Sequence, residues 1–148
     1  MLKEVIYQAV DYLGIGRVRP FLDAANEILT SRGVKLPLEG QATTTMEDRL
    51  EKGVQAQADI FGDHMKEAWK AGHINRWLAD NCFGDYYTRT GLDDAQREMI
   101  TLCFLAAQAG ASRSWSATRR RTCAWATTAR SSSRWCPSAC PTSATRAA

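Results

Sequence analysis

The chain of 148 residues has the length of one ordinary domain, and its 45% hydrophobic and 24% charged residues are typical of a globular protein. With a formal net charge of only +3, these values exclude collagen, a coiled coil and a wholly disordered chain. Apolar runs such as residues 99–107 are far shorter than the roughly 20 residues that a membrane span requires. The first residues are amphipathic rather than typical of a signal peptide. We therefore expect a cytoplasmic protein that does not contact a membrane.

Two amphipathic helices are predicted at the start of the chain. Apolar residues at i, i+3, i+4 and i+7 spacing run through residues 2–13, and Gly14 and Gly16 end this first helix. Pro20 suits the first turn of a second helix, which Gly33 would cap at its carboxyl end. The apolar stripes expected to face the core are Leu2, Val5, Ile6, Ala9, Val10 and Leu13, then Phe21, Leu22, Ala25, Ile28 and Leu29.

A linker and a third helix follow. Residues 34–44, with Pro37 and Gly40, have the composition of an irregular connection. Residues 44–47, Thr-Thr-Met-Glu, have the pattern of a capping box, in which a Thr hydroxyl and Glu47 satisfy each other's backbone amides. The pattern predicts a helix from this box to about Phe61.

The remaining helices are predicted around Gly72 and after a loop. Residues 64–70 and 74–83 indicate two shorter helices, and residues 84–91 indicate a loop that carries a Gly at each end. Asp93 then caps the start of a strongly apolar helix. Its side chains expected to face the core are Met99, Ile100, Leu102, Cys103, Leu105 and Ala106.

The last forty residues differ in composition from the rest. Residues 1–108 carry 12 basic and 16 acidic side chains, a balance of −4, whereas residues 109–148 carry 7 basic and no acidic ones. Only eight residue types occur after Gln108, and Leu, Ile, Val, Phe, Met and Tyr are all missing. Such a segment cannot bury enough apolar surface to offset its chain entropy. We expect a disordered or irregular tail at 109–148.

We interpret this tail as GC-rich coding DNA translated in the wrong frame. An arm that binds nucleic acid through Arg119 to Arg121 and Trp115 is the alternative, and the frame hypothesis explains the composition better. If one base is lost at the Gln108/Ala109 junction, the genetic code permits a restored reading that contains G-G-C, G-H, G-N-D-R and a final L-P-Y-I-G-Y-P-R. This restored reading has helical periodicity and mixed charge. It predicts no nucleic-acid partner.

Cysteines and histidines give no sign of a metal site. The cysteines form no Cys-x-x-Cys pair and no paired ligand spacing, so we expect no metal, no other cofactor and no disulfide framework. His64 and His73 lie among polar residues and are predicted to be on the surface. The five cysteines are Cys82, Cys103, Cys123, Cys136 and Cys140.

A family resemblance is carried by residues 81–102. The sequence N-C-F-G-D-Y-Y-T-R-T-G-L-D at 81–93, followed by R-E-M-I-T-L at 97–102, resembles the F-G-D-x-Y-x-R-x-G-L-D and R-E-L-I-T-L signature of the carboxymuconolactone decarboxylase family. The restored reading continues the same signature. The resemblance implies an all-α, alkylhydroperoxidase-like helical bundle, incomplete in this chain, that associates into homo-oligomers.

A short internal repeat predicts how the chain is divided into domains. Y-L-G-I-G-R at residues 12–17 is similar to the Y-I-G-Y-P-R that ends the restored reading. We therefore expect residues 1–38 to be the closing helices of a first family domain and residues 39–44 to be a linker. Residues 45–108 would open a second domain, which makes the chain a fragment of a two-domain protein.

The resemblance implies one of two chemistries. Our first hypothesis is a parent protein that is a thiol-dependent, peroxidase-like oxidoreductase, with this chain inactive because its tail lacks the family's Cys and His. The first alternative is decarboxylation of a lactone acid in aromatic breakdown, and the second is a helical oligomerisation module without chemistry. The expected ligand is therefore a small peroxide or a lactone acid.

Glu98 is the one catalytic residue that the resemblance places in this chain. It matches the Glu of the signature helix and would act as a proton relay or as an acid/base group. An equally good alternative is that Glu98 only pairs with an Arg or favours the helix N-terminus.

The signature loop and two cysteines have structural alternatives. Asp85, Tyr87 and Arg89 match the loop, and they would either line a pocket or fix the loop against the next helix. Cys82 and Cys103 are predicted to be small core residues. The tail cysteines carry no inherited role under the frame hypothesis.

Overall fold

The computed structural model describes residues 1–108, and these form helices joined by short irregular segments, with no strand among them. The elements are α1 (Leu2–Leu13), α2 (Ile15–Ser31), α3 (Arg49–Phe61), a 3₁₀ helix (Asp63–Ala71), α4 (His73–Trp77), a π-helix (Leu78–Tyr87) and α5 (Asp94–Gln108). The all-α prediction is confirmed for this part of the chain. The tail predicted at 109–148 lies outside the described residues. Within residues 1–108, no helix combines the length and apolarity needed to cross a bilayer.

The first two helices are separated by a single residue. Gly14, at φ 80°, ends α1 as predicted and donates its amide to the Val10 carbonyl. The predicted start of α2 at Pro20 is wrong, because α2 begins at Ile15 and contains Pro20. Pro20 has no amide to donate to the Gly16 carbonyl four residues before it, and its ring crowds that carbonyl, yet α2 continues through it to Ser31.

The end of α2 follows the prediction. Gly33 has a φ of 78°, its amide bonds the Thr30 carbonyl at 2.9 Å, and the Val34 amide bonds the Leu29 carbonyl at 3.0 Å. These two bonds are those of a Schellman motif, in which a left-handed glycine satisfies the last carbonyls of a helix.

The predicted capping box is wrong in its position. The helix begins at Arg49, with Asp48 at the N-cap. The Thr44 hydroxyl instead donates to the Gly84 carbonyl at 2.9 Å, and the Thr45 amide donates to Asp48 Oδ1 at 2.7 Å. The contact with Gly84, forty residues away, holds Thr44 in the irregular segment.

The segment after α3 is helical for longer than predicted. Gly72, at φ 147°, separates the 3₁₀ helix from α4 as expected. The π-helix follows α4 directly and extends to Tyr87, so the predicted loop is wrong for residues 84–87. Arg49 contacts two carboxylates of the π-helix, Asp80 at 3.5 Å and Asp85 at 2.8 Å, and these ion pairs favour helix where composition indicated a loop.

The largest helix interface joins α3 to the π-helix. A Cβ atom at Gly53 would overlap the carbonyl oxygen of Ala79, and one at Gly84 would overlap that of Arg49. The two backbones therefore approach as closely as glycine allows. The apolar core next to this contact consists of Ile60, Cys82, Phe83 and Tyr87, with Tyr12, Ala56 and Phe61 packed on it.

The buried face of α1 differs from the predicted apolar stripe. Its buried residues are Glu4, Gln8 and Ala9, whereas Leu2 is exposed. Helix α1 contacts both α2 and α5, and Gln8 on its buried face bonds Arg97 of α5. The stripe prediction is confirmed at Ala9 and wrong at Leu2. Glu4 and Gln8 are buried because they meet a buried arginine on α5, which requires polar partners.

Exposure also corrects predictions for α2 and α5. Phe21 is 68% exposed and Ile28 is 51% exposed, although both were expected to face the core. The prediction that Cys103 is a core residue is wrong, because it is exposed, whereas Cys82 is buried as predicted. In α5 the burial falls on Leu102 and Leu105 and on the polar residues Arg97, Glu98 and Thr101.

Candidate active site

A cavity of about 280 Å³ lies between α3, the π-helix and α5. Its walls are mostly apolar, and a few polar side chains converge on it, which is the usual character of a small-molecule site. The lining residues are Tyr12, Gln57, Phe61, His64, Met65, Leu78, Phe83, Tyr87, Glu98, Thr101 and Leu105. We refer to it as the Glu98 cavity.

Glu98 is held by a short hydrogen bond to a tyrosine. The Tyr87 hydroxyl donates to Glu98 Oε1 at 2.6 Å, and both residues are buried, with 4% and 1% of their surface exposed. Tyr87 is the last residue of the π-helix, and Glu98 lies in the second turn of α5. Burial, and then the charges of Tyr12 and Glu98, raise the pKa of Tyr87 well above its ordinary value. Tyr87 therefore remains a proton donor at neutral pH.

Further hydroxyls extend this contact. The Thr101 hydroxyl lies 2.8 Å from the Tyr87 hydroxyl and donates to the Tyr12 hydroxyl at 3.1 Å. Burial is the largest cause of a raised pKa at Tyr12 as well. The cavity thus has a carboxylate and three hydroxyls in mutual hydrogen-bonding contact, an arrangement that can move a proton over short distances.

A second polar network, formed by residues of α1, α5 and the segment before α5, contacts Thr101 through Gln8. Gln8 donates from Nε2 to Thr101 Oγ1 at 2.8 Å and to the Arg97 carbonyl at 2.9 Å. Arg97, with no exposed surface, donates to Gln8 Oε1 at 3.1 Å and to the Arg89 carbonyl at 2.7 Å. Arg89 in turn contacts both carboxylate oxygens of Glu4, at 2.7 and 3.0 Å. This network joins α1 to α5 and fixes the side of α5 that carries Glu98.

A buried thiol lies near the site, in surroundings that keep it protonated. The Sγ atom of Cys82 lies 3.7 Å from the Tyr12 hydroxyl, and the Cys82 thiol also hydrogen-bonds Asp11. Burial, followed by the charge of Asp11, raises the pKa of Cys82 well above its ordinary value. Because the thiolate is the reactive form, these surroundings disfavour Cys82 as a nucleophile, and its side chain belongs to the apolar core. Burial raises the pKa of Asp11 to about 6.

Of the three loop residues that match the signature, Tyr87 lies at the cavity, whereas Asp85 and Arg89 make structural contacts elsewhere. Tyr87 lines the cavity with Glu98. Asp85 pairs with Arg49 at 2.8 Å and accepts from Asn81 at 2.8 Å, and Arg89 pairs with Glu4. Asp85 and Arg89 therefore hold the backbone against α3 and α1, which matches the structural alternative for these two residues.

The predicted surface histidines are both exposed. His64 lies at the edge of the Glu98 cavity, and His73 lies at the start of α4, next to the Trp77 ring. Within residues 1–108, no three His, Cys, Asp or Glu side chains are grouped so as to hold a metal ion.

Sequence reasoning missed four residues of the site and its support. Glu4, Gln8 and Tyr12 recur at every fourth position of α1, so a polar stripe in an otherwise apolar helix was the available signal. Gln57, which is 1% exposed, gave no signal, because one glutamine in an amphipathic helix is ordinarily on the surface.

Comparison with known proteins gives no relative for this chain: no family model, no curated protein and no solved structure matches it.

Proposed function

We propose that the chain derives from a thiol-dependent, peroxidase-like oxidoreductase of the carboxymuconolactone decarboxylase family, with an alkylhydroperoxidase-like helical fold. The observation that carries the proposal is the buried Tyr87–Glu98 hydrogen bond of 2.6 Å at an apolar cavity. It supports an acid/base role for Glu98, the residue that the signature resemblance selects. In this proposal the 148-residue chain is itself inactive, since Cys82 is held as a thiol and does not line the cavity.

The proposed reaction needs a proton relay at Glu98. A cysteine thiol gives its proton to Glu98, and the thiolate attacks the terminal oxygen of a hydroperoxide. The S–O bond forms as the O–O bond breaks, and Glu98 returns the proton to the departing alkoxide, which yields an alcohol and a cysteine sulfenic acid. Two equivalents of an external thiol then reduce the sulfenic acid, releasing water and a disulfide. The attacking cysteine is that of G-G-C in the restored reading.

The charge of the cavity favours a neutral substrate. Among its lining residues there is one carboxylate, Glu98, and neither Lys nor Arg. A hydroperoxide is neutral, whereas a lactone acid would bring its negative charge close to Glu98, with no Lys or Arg among the lining residues to offset the repulsion. This supports peroxide reduction over decarboxylation.

Decarboxylation is the second candidate, and one observation favours it. The Tyr87–Glu98 pair lies entirely within residues 1–108 and can deliver a proton to carbon without any thiol. A third candidate, an oligomerisation module without chemistry, is favoured by the exposed apolar side chains Phe21 and Ile28 on α2.

The test is a protein expressed from a coding sequence with the frame restored at codon 109. We expect it to consume organic hydroperoxide at the expense of a dithiol, to lose that activity as Glu98→Gln, and to elute as an oligomer from a sizing column. The unmodified 148-residue chain is the matched control and should be inactive. Lactone turnover without peroxide consumption would replace the proposal by the second candidate, and inactivity in both assays would leave the third. An uninterrupted frame in the source DNA would refute the origin proposed for the tail.

A further inference from the structure

A buried side-chain carbonyl oxygen in the wall of the Glu98 cavity has no hydrogen-bond partner within residues 1–108. Gln57 lies on α3 with 1% of its surface exposed, and its side chain lines the cavity. Its Oε1 atom accepts no hydrogen bond from any residue in the described part of the chain. A buried carbonyl oxygen in this state is costly, and such groups are normally satisfied in the native protein.

The three hydroxyls of the cavity are engaged with one another or with Glu98. Tyr87 donates to Glu98, and Thr101 bonds Tyr12, so these hydroxyls already have partners. Gln57 is therefore the acceptor that a bound molecule would satisfy. That molecule must bring an O–H or N–H donor to Oε1.

The other lining residues indicate the size, the apolar character and the charge of the ligand. Phe61, Met65, Leu78 and Leu105 present apolar surface, and the rings of Phe61 and Phe83 meet edge to face with their centres 5.9 Å apart. A volume of about 280 Å³ admits a single substituted aromatic ring. Glu98 disfavours an anion, because no Lys or Arg belongs to the lining residues.

We propose that the Glu98 cavity binds a small, neutral aromatic alcohol or its hydroperoxide, and that Gln57 selects it by accepting a hydrogen bond from the ligand O–H. Gln57 is thereby a specificity-determining residue, and it does not take part in the chemical step. The inference rests on the proposed function in treating the Glu98 cavity as a substrate site. Its binding claim applies to residues 1–108 alone.

The test measures binding to the 148-residue chain by ligand-observed NMR, with benzyl alcohol, toluene and benzoate as probes. Toluene has the same ring without a donor, and benzoate has the ring with a negative charge. We expect benzyl alcohol to bind about 3- to 10-fold more tightly than toluene, which is the effect of one hydrogen bond, and benzoate to bind most weakly.

Two variants test whether the preference for benzyl alcohol depends on Gln57. Gln57→Met keeps the length of the side chain and removes the acceptor, so it should abolish the preference for benzyl alcohol while leaving toluene binding unchanged. Gln55→Met is the control, because Gln55 is exposed on the same helix and bonds Asp59 instead of facing the cavity. A far-ultraviolet spectrum matching that of the unsubstituted chain confirms that each variant is folded.

The outcomes separate this inference from the proposed function. An unchanged preference in Gln57→Met, or equal binding of all three probes, would overturn the role of Gln57. Selective binding of benzyl alcohol together with a frame-restored protein that does not reduce peroxide would retain the binding site and reject the peroxidase. Peroxide reduction that is unchanged in Gln57→Met would retain the peroxidase and reject the role of Gln57 in selecting the ligand.

Discussion

Tyr87 and Glu98 are joined by a hydrogen bond of 2.6 Å across the junction between the π-helix and α5. Both side chains are buried, so the hydroxyl is the group that stabilises this end of the carboxylate in place of water. The same bond positions Glu98 at the cavity, so this one contact contributes to stability and to the acid/base role proposed for Glu98.

Replacing this hydroxyl should destabilise the fold. In Tyr87→Phe the Oε1 atom of the buried Glu98 loses the hydroxyl that donates to it, and we expect the free energy of unfolding to fall by about 1.5–3 kcal/mol, the usual effect of a hydrogen bond to a charged group. Urea denaturation followed by circular dichroism measures this change. Tyr86→Phe, at the half-buried neighbouring position, is the control and should change stability by less than about 0.5 kcal/mol. Equal effects of the two substitutions would contradict the role given to Tyr87.

Glycine is required where α3 meets the π-helix. Gly84→Ala would place a methyl group against the carbonyl oxygen of Arg49, a backbone atom that cannot rotate away. We expect a loss of about 3 kcal/mol or more in denaturation experiments. Gly16→Ala is the matched control, because Gly16 lies inside α2 with no atom within 4 Å of its new Cβ. It should stabilise the protein by up to about 1 kcal/mol through helix propensity.

The guanidinium of Arg97 organises the contact between α1 and α5. Arg97→Met leaves Gln8 Oε1 and the Arg89 carbonyl without their donor, and it removes the weaker of the two positive charges near Glu4, the other being Arg89. We expect a loss of about 3–5 kcal/mol in the free energy of unfolding. Arg97→Lys should restore little of it, because one ammonium group cannot reproduce the planar fork that reaches both acceptors. Full rescue by lysine would show that charge alone is needed.

Stability should depend on pH through Asp11. Burial raises the pKa of Asp11 from 3.8 to about 6, so the folded chain binds this proton more tightly than the unfolded chain does. The resulting stabilisation is complete below about pH 4 and is lost as the pH rises through 6. Asp11→Asn should therefore be more stable than the unsubstituted chain at pH 7, by at most about 3 kcal/mol, and should match it near pH 3.5.

Asp23→Asn is the control for that pH dependence. Asp23 lies on α2 in an exposed ion pair with Arg19, and its substitution should leave the pH profile of urea unfolding unchanged. Parallel profiles for Asp11→Asn and the unsubstituted chain would refute the buried environment of Asp11.

The two described cysteines should react at different rates. Cys103 is exposed, whereas Cys82 is buried with a raised pKa. A maleimide reagent should modify Cys103 at least about 100-fold faster than Cys82, because the reaction requires an accessible thiolate. Peptide mass spectrometry over a time course resolves the two sites, and a repeat in 6 M guanidinium should equalise them. Comparable rates in the native protein would place Cys82 at the surface.

The sequence predicted the helical class and several helix ends correctly. The break at Gly14, the Schellman motif at Gly33 and the start of α5 were all predictable. At α5 the Asp93 side chain accepts from the Gln96 amide at 2.8 Å, and Gln96 Oε1 accepts from the Asp93 amide at 3.0 Å. Each of these features depends on residues within one helical turn of each other.

The site was predictable only in part. Glu98 and Tyr87 were selected by the signature resemblance, but their hydrogen bond was not, because the sequence does not reveal that the π-helix extends through the signature to Tyr87. Gln57 and the exposure of Cys103 were missed for a related reason. Periodicity indicates that a helix has an apolar face, and it does not say which neighbour covers which position.

The amino-acid sequence by itself determined that residues 1–108 are helical and where α1 and α2 end, since glycine conformation and local amide bonds act within a few residues. The tertiary structure decided which polar groups are buried. Gln8 meets Arg97 across 89 positions of the chain, and Tyr12 meets Thr101 across the same separation. Contacts over such distances form only when α1 packs on α5, and the partners available at that interface determine whether a charged side chain can leave water.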